Sequence, residues 1–324
     1  GYTLAHMNGM NAAVEVLKKE GINVQIVNKK KIPESDAVAT NCNDLIADGC
    51  TAIVTNSYGH QNFFGNVIKD NPNVTFVSMT GDLAASSNLP NYFNAFTDIY
   101  ESRYVSGVIA GMKLKELIDN GTVTKEALPT AFDEDGNIKI GYVGAFAYAE
   151  VVSGYTAFFL GIQSVVENVS MTVKFSVGYN VDMRDVAADV ILTSPTNNWE
   201  VYYEYLFRTL AEGKTVEQDW AKGYSEKAVG TTELGKAAAA GTAEKVSEVS
   251  AKIASGELKV FDCSKFTVKG EHITSYTNAF GFEGNECIKT ENGVTYFDES
   301  SLRAAPYFDV RVDGITEIQS DYKD

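Results

Sequence analysis

Histidine and cysteine are scarce in this chain of 324 residues, three and four in number, and neither set is arranged for chemistry. Cys42, Cys50, Cys263 and Cys287 contain no C-x-x-C pair, which argues against thioredoxin-like redox work and zinc ribbons. His6, His60 and His272 are too widely spaced to suggest a clustered metal site. Also missing are G-x-G-x-x-G after a strand, G-x-x-x-x-G-K-[ST], G-x-S-x-G and H-E-x-x-H, so no strong enzyme motif is present. A Ser/His/Asp triad has no local motif to support it. No apolar run approaches the roughly 20 residues of a membrane-spanning helix, and no basic stretch leads into a signal-peptide core. Basic residues are outnumbered 27 to 43 by acidic ones, a net charge of −16. That balance argues against nucleic acid or an anionic membrane surface as partner. No cofactor is expected.

The composition, 44% hydrophobic and 22% charged, is that of a globular protein long enough for two domains. The most informative stretch runs from Ile138 to Glu167. Ile138, Ile140, Tyr142 and Val143 predict a parallel strand covered on both faces. From Val151 the apolar positions Val152, Tyr155, Phe158, Phe159, Ile162 and Val165 switch to helical spacing. Gly154, Ala157 and Gly161 are small enough to bring that helix close to the sheet. The crevice beyond the strand's carboxyl end, where open parallel sheets bind small ligands, is lined by Ala145, Phe146, Tyr148 and Glu150.

Elsewhere strand and helix alternate. A helix with Met10, Ala13, Val14 and Leu17 on one face ends at Gly21, followed by a strand at Ile22–Val27. A second helix carries Val38, Cys42, Leu45 and Ile46, and the strand Ala52–Thr55 runs into the polar loop Asn56–His60. Strands are predicted at Val74–Met79, Tyr92–Thr97, Thr172–Phe175 and Val190–Thr193. Helices are predicted at Glu101–Leu117, where Gly107-x-x-x-Gly111 points to close helix packing, and from Trp199 to Leu210. The alternation predicts an α/β fold with a doubly wound, parallel sheet. Beyond Gly223 an Ala-rich helix with Val246, Val249 and Ile253 gives way to extended stretches at Glu257–Asp262 and Ile273–Thr277. Asn292-Gly293 then marks a two-residue hairpin. In an exported protein Cys42–Cys50 and Cys263–Cys287 are the natural disulfides, although four cysteines allow three connectivities; the alternative has Cys42 as a buried thiol.

Tyr2, Tyr58, Phe146, Tyr148, Asn180, Asp182, Asn198 and Trp199 stand at predicted loop ends. Such groups bind rather than react: rings stack on a flat heterocycle while amides and carboxylates read its donors and acceptors. One irregularity stands out. Phe175 runs almost at once into the strand-like Val177–Asn180, with no helix between, although parallel strands need a crossover.

Seven segments in order, Gly1–His6 with Gly9, Asn56–Gly59, Glu101–Gly107, Ile140–Val143 with Phe146 and Glu150, Gly178–Met183, Asn198-Trp199 with Tyr202-Tyr203, and Ser255–Phe261, resemble the basic membrane protein family, solute-binding lipoproteins of ABC importers. The resemblance, which runs from Gly1 to about Phe261, implies a type I periplasmic-binding-protein fold of two hinged lobes, to which the extended stretches and hairpin beyond Gly256 add a C-terminal strand-rich appendage. The first lobe would hold residues 1–118 with 190–222 returning to it, and 119–137 would be a linker. The second would hold 138–189, with 223–324 packing on it as a helix and hairpin extension. It further implies a purine base or nucleoside stacked by Tyr2 and Phe146, contacted by Ser57, Asn180, Asp182 and Asn198, with Trp199 near the hinge. Asn180 stands where many members have a ribose-binding aspartate and Asn197 where the nucleoside branch has a lysine, which leaves base and nucleoside both open. Members carry a first strand before the position of Gly1 and a helix-strand-helix between those of Ser176 and Val177, so a partial chain is expected. The implied protein is an extracytoplasmic, cell-surface lipoprotein, a monomer working with an ABC permease, its lipid anchor outside this sequence. Two alternatives remain: a sensory ectodomain of the same fold, or a nucleoside-processing enzyme using Asp182 or Glu150.

Overall fold

The computed structural model describes residues 2–145, 147–175, 190–279 and 281–318. In the first lobe α1 (Tyr2–Lys19) and α2 (Ala37–Ala47) precede β1 (Ala52–Thr55), α3 (Gly65–Asp70), β2 (Thr75–Met79), the single turn α4 (Ala84–Ser87) and β3 (Tyr92–Thr97). Helix α5 (Ile99–Asp119) leads to β4 (Ile138–Gly144), α6 (Ala149–Gln163) and β5 (Val169–Phe175) of the second lobe. The chain returns through β6 (Pro195–Asn197), α7 (Trp199–Ala211), β7 (Asp219–Lys222) and β8 (Val229–Thr231). It ends with α8 (Thr242–Ala254), the hairpin β9 (Ile288–Glu291) and β10 (Val294–Phe297), and β11 (Ile315–Ile318).

The first sheet has the order β1-β2-β3-β7, every pair parallel. Its alternating side chains feed two cores, because helices cover both faces. Val77, Phe93 and Ala95 meet Trp199, Tyr202, Tyr203 and Leu206 of α7 on one side, and Ile53, Phe76 and Tyr92 meet Val38, Cys42, Phe64 and Ile68 on the other.

The second sheet, β11-β5-β4, is also parallel and corrects two expectations. Among the described residues β4 is an edge strand, and one of its faces is open, with Val143 69% exposed, instead of both being covered; β11, a strand the sequence pattern did not announce, makes β5 the central one. The small residues of α6 face α5, not the sheet. A Cβ on Gly161 would stand 2.2 Å from the carbonyl oxygen of Tyr104, and one on Gly107 2.1 Å from that of Phe158. This is the close helix packing that Gly107 and Gly111 predict. It draws α5, expected within 1–118, into the core of the second sheet, where Tyr104, Val105, Val108 and Ile109 are buried with Val152, Tyr155, Phe159 and Ile162.

Short apolar runs account for the other differences, because a run of four to six residues becomes a strand only where a sheet edge receives it. Ile22–Val27 forms no ladder among the described residues; it flanks a groove of about 1080 Å³ beside the open edge of β1. Val190–Thr193, Glu257–Asp262 and Ile273–Thr277 are not strands either, apart from one bridge from Asp262 to Tyr296. Val177–Asn180 lies outside the described residues. The Asn292-Gly293 hairpin is present, with φ of 50° and 81° at its two central residues, the left-handed pair its turn requires. Cys42, Cys50, Cys263 and Cys287 are free thiols. Cys42 is core packing for α2, while Cys263 and Cys287 direct their Sγ atoms to the carbonyls of Phe261 and Asn285. The C-terminal extension packs mainly on the second lobe, yet Ala304 and Ala305 cross back to Phe96 and Ile99 of the first.

Candidate functional site: the interlobe cleft

The loops leaving the carboxyl ends of β1, β2 and β3 meet the loop between β4 and α6 around a cleft of about 920 Å³. This is where parallel-sheet topology places ligand sites, since strand ends there open into loops instead of packed helices. Residues 303–311 complete the wall, with Arg303, Pro306, Asp309 and Arg311.

Of the residues singled out in the sequence, Tyr2, Ser57, Tyr58, Ala145, Tyr148, Glu150 and Trp199 come together here. Ser57 is committed to holding its loop: its hydroxyl donates to Glu34 Oε1 at 2.6 Å, and the Gly59 N–H donates to the same oxygen at 3.0 Å. Tyr58 donates its hydroxyl to Asp82 Oδ2 at 3.1 Å, while Gln61 Nε2 donates to Asp82 Oδ1 at 3.0 Å. Gln61 Oε1 accepts the N–H groups of Asp82 and Leu83, both at 3.0 Å. The Arg303 guanidinium stands 3.5 Å from Asp82 Oδ2. Asp82 is thus a hub joining the first lobe to the C-terminal segment.

Trp199 is a wall more than a gripping face. It is 1% exposed, and His6 stacks on it with centroids 4.3 Å apart. Tyr2 meets His6 and Trp199 edge-on. His6 Nδ1 lies 3.0 Å from the Tyr203 hydroxyl, and burial pushes its pKa down to about 3, so the ring is neutral. The buried Trp199 Nε1 has no hydrogen-bond partner among the described residues.

Asn198 is not on the cleft wall. Its Nδ2 donates to the Lys227 carbonyl at 2.7 Å and its Oδ1 accepts from Thr196 at 3.2 Å, fastening β6 to the β7–β8 turn. Its neighbour Asn197 lines the cleft instead and accepts from Thr97. Phe146, Asn180 and Asp182 lie outside the described residues. Glu150, in the first turn of α6, has its carboxyl raised by desolvation, with Arg103 pulling the other way. Thr80 and Asp82 were missed although the strand-end rule used for Asn56–His60 applies equally to the loop after β2. Arg303, Asp309 and Arg311 carried no local signal, because only the return of the C-terminal segment brings them to the cleft.

Beside the cleft, where the chain crosses between lobes, carboxyl groups are buried. Desolvation raises the carboxyls of Asp98 and Glu101, and pushes that of Glu299 up to about 8. Glu101 Oε2 accepts the Tyr224 N–H at 2.6 Å and Glu299 Oε2 that of Phe308 at 2.8 Å. Asp98 Oδ1 and Glu299 Oε1 have no partner among the described residues, so protonation is the cheaper state there. Among the described residues no His/Cys/Asp/Glu group has the arrangement of a metal site, and no helix is long and apolar enough to cross a membrane.

This architecture has relatives. No family model matches the chain. Over 165 residues, 51% of the chain, it is 30% identical to a purine-binding protein of Brucella abortus, and the match spans 39% of that protein's length. Its fold is similar to that of an ABC transporter solute-binding protein from Aeropyrum pernix, with TM-score 0.57 at 13% identity over 84% of this chain and 90% of the other. A second, from Conexibacter woesei, gives 0.54 at 15% identity over 78% and 92%. A transcriptional activator of the comK gene from Bacillus halodurans gives 0.52 at 15% over 77% and 94%. The fold is therefore the type I periplasmic-binding-protein fold, two α/β lobes with parallel sheets. Taken together, the similarity to a purine-binding protein and the shared solute-binding fold agree with the resemblance to the basic membrane protein family.

Proposed function

We propose that this protein is the extracytoplasmic solute-binding component of an ABC importer, a monomer that captures a purine base or nucleoside between its lobes and hands it to a permease. The observation that carries the reading is the interlobe cleft, which combines exposed tyrosine rings with fixed polar groups at the sheet's carboxyl edge. The similarity to a purine-binding protein supports the choice of ligand class. Rings bury the flat faces of a heterocycle, while Glu150, Asn197 and Thr80 offer groups to its edge. A micromolar dissociation constant needs about 8 kcal/mol of net binding, within reach of one stacked ring and a few hydrogen bonds in a cleft shielded from water. Such a protein performs no reaction and is held at the membrane by a lipid. A thermal-shift panel of purine bases, nucleosides, sugars and amino acids tests the proposal. A purine at 100 times its dissociation constant contributes about 2.7 kcal/mol, and a panel in which only sugars or amino acids raise the melting temperature overturns it. Release of free base from inosine would point to an enzyme instead.

A further inference from the structure

We propose that Arg311 is a specificity-determining residue of the cleft, its guanidinium donating to two adjacent acceptors on the ligand's edge and so favouring 6-oxopurines over 6-aminopurines. The inference rests on the purine reading and names the ligand class within it. Arg311 lies in the C-terminal segment, beyond the stretch that resembles the basic membrane protein family.

Among the described residues two cations line the cleft, Arg303 and Arg311. Arg303 is already spent: it faces Asp82 and donates to the carbonyls of Ala305 at 3.0 Å and Pro306 at 3.3 Å. Arg311 is held from one side and open on the other, its side chain 48% exposed. Its Nε stands 2.8 Å from Glu317 Oε1 and its Nη1 donates to the Asp309 carbonyl at 2.7 Å, while Nη2 has no partner among the described residues. The groups that hold it are themselves fixed from behind. Tyr155, in the core of the second lobe, donates its hydroxyl to Glu317, and the pairing of β11 with β5 sets Glu317 opposite Val173. The Asp309 carboxylate accepts the Tyr276 hydroxyl at 3.0 Å. An arginine fixed in this way meets a ligand with little ordering left to lose.

A guanidinium carries N–H donors in a planar fork and no acceptor. The fork matches O6 and N7 of a 6-oxopurine, two acceptors side by side. A 6-aminopurine places an N–H donor beside N7, so donor faces donor and a hydrogen bond is lost where little water can replace it.

Calorimetric titration of hypoxanthine, guanine, adenine and their nucleosides into wild type, Arg311→Ala and Arg311→Gln tests this, with a melting curve for each protein. The wild type is expected to bind 6-oxopurines about tenfold or more tightly than their 6-amino counterparts, within the range of one bidentate base contact. Both variants should lose that ratio while their affinity for adenine hardly changes, whereas a merely structural arginine would weaken all purines alike. Should Arg311→Ala lower the melting temperature through Glu317, Arg311→Gln decides by the same ratio. Equal or reversed preference in the wild type, or a ratio that survives the substitution, overturns the role of Arg311 and leaves the purine reading standing. Failure of the wild type to bind any base or nucleoside overturns the purine reading and this inference with it.

Discussion

The two walls of the cleft are built differently. On the first-lobe side polar side chains are locked to one another before any ligand arrives: Glu34 holds Ser57 and Gly59, and Asp82 holds Tyr58, Gln61 and Arg303. On the second-lobe side the wall is largely Ala145, Ala147, Ala149, Val151 and Val152 around Tyr148 and Glu150. A preorganised wall supplies orientation at little entropic cost, and a small apolar wall supplies burial. One lobe reads while the other covers. Behind them the stabilising devices also differ: the first sheet is covered on both faces, whereas the second depends on α5 lying almost in backbone contact with α6.

The sharpest way to break the contrast is Asp82→Ala, which leaves Arg303, 7% exposed, without its counter-charge and frees Tyr58 and Gln61; a loss of about 3–4 kcal/mol is expected in denaturant unfolding. Next is Gly161→Val. Its new side chain meets the Tyr104 carbonyl, which has no room to yield, so α5 and α6 must part at a cost of about 2–3 kcal/mol. Gly154→Ala, whose Cβ would have no neighbour nearer than 3.8 Å, is the control and should raise stability by up to about 1 kcal/mol through helix propensity.

The pH dependence separates the joint from the first-lobe core. Burial holds the carboxyls of Asp98, Glu101 and Glu299 above the ordinary 3.8 and 4.5, that of Glu299 at about 8. The folded protein holds protons that the unfolded chain releases, so stability falls as pH rises from about 4.5 to about 8 and then levels. His6 has the opposite sign. Its folded pKa of about 3 lies below the ordinary 6.5, so its contribution is lost as pH falls through that interval. Melting temperatures across this range should fall less steeply on the alkaline side in Asp98→Asn, and an unchanged slope would remove the joint from the account. The smallest expected effect is Glu34→Gln, about 1–2 kcal/mol from weakened hydrogen bonds to Ser57 and Gly59, measured by thermal unfolding.

Patterns of short range were readable in the residues. The run from Ile138 into the stripe of Val152, Tyr155, Phe159 and Ile162 identified a strand and its helix, and Asn292-Gly293 identified a hairpin, because period and turn chemistry act within a few residues. Tyr58, Tyr148 and Glu150 on the cleft wall follow from the rule that loops at parallel-strand ends bind ligands, and Tyr2, Ser57 and Trp199 from the family resemblance. The amide of Asn198 is held by Lys227 and Thr196, and nothing local distinguishes a side chain aimed at a cleft from one aimed at a neighbouring turn.

By itself, then, the sequence determined the alternation of elements, the parallel sheets that follow from it, and the glycines that let α5 and α6 approach. Tertiary structure alone decided which sheet edge received β11, which lobe claimed α5, and that Arg303 should meet Asp82. Those choices pair groups separated by tens to hundreds of residues, and their energy exists only once both partners have left water for the same place.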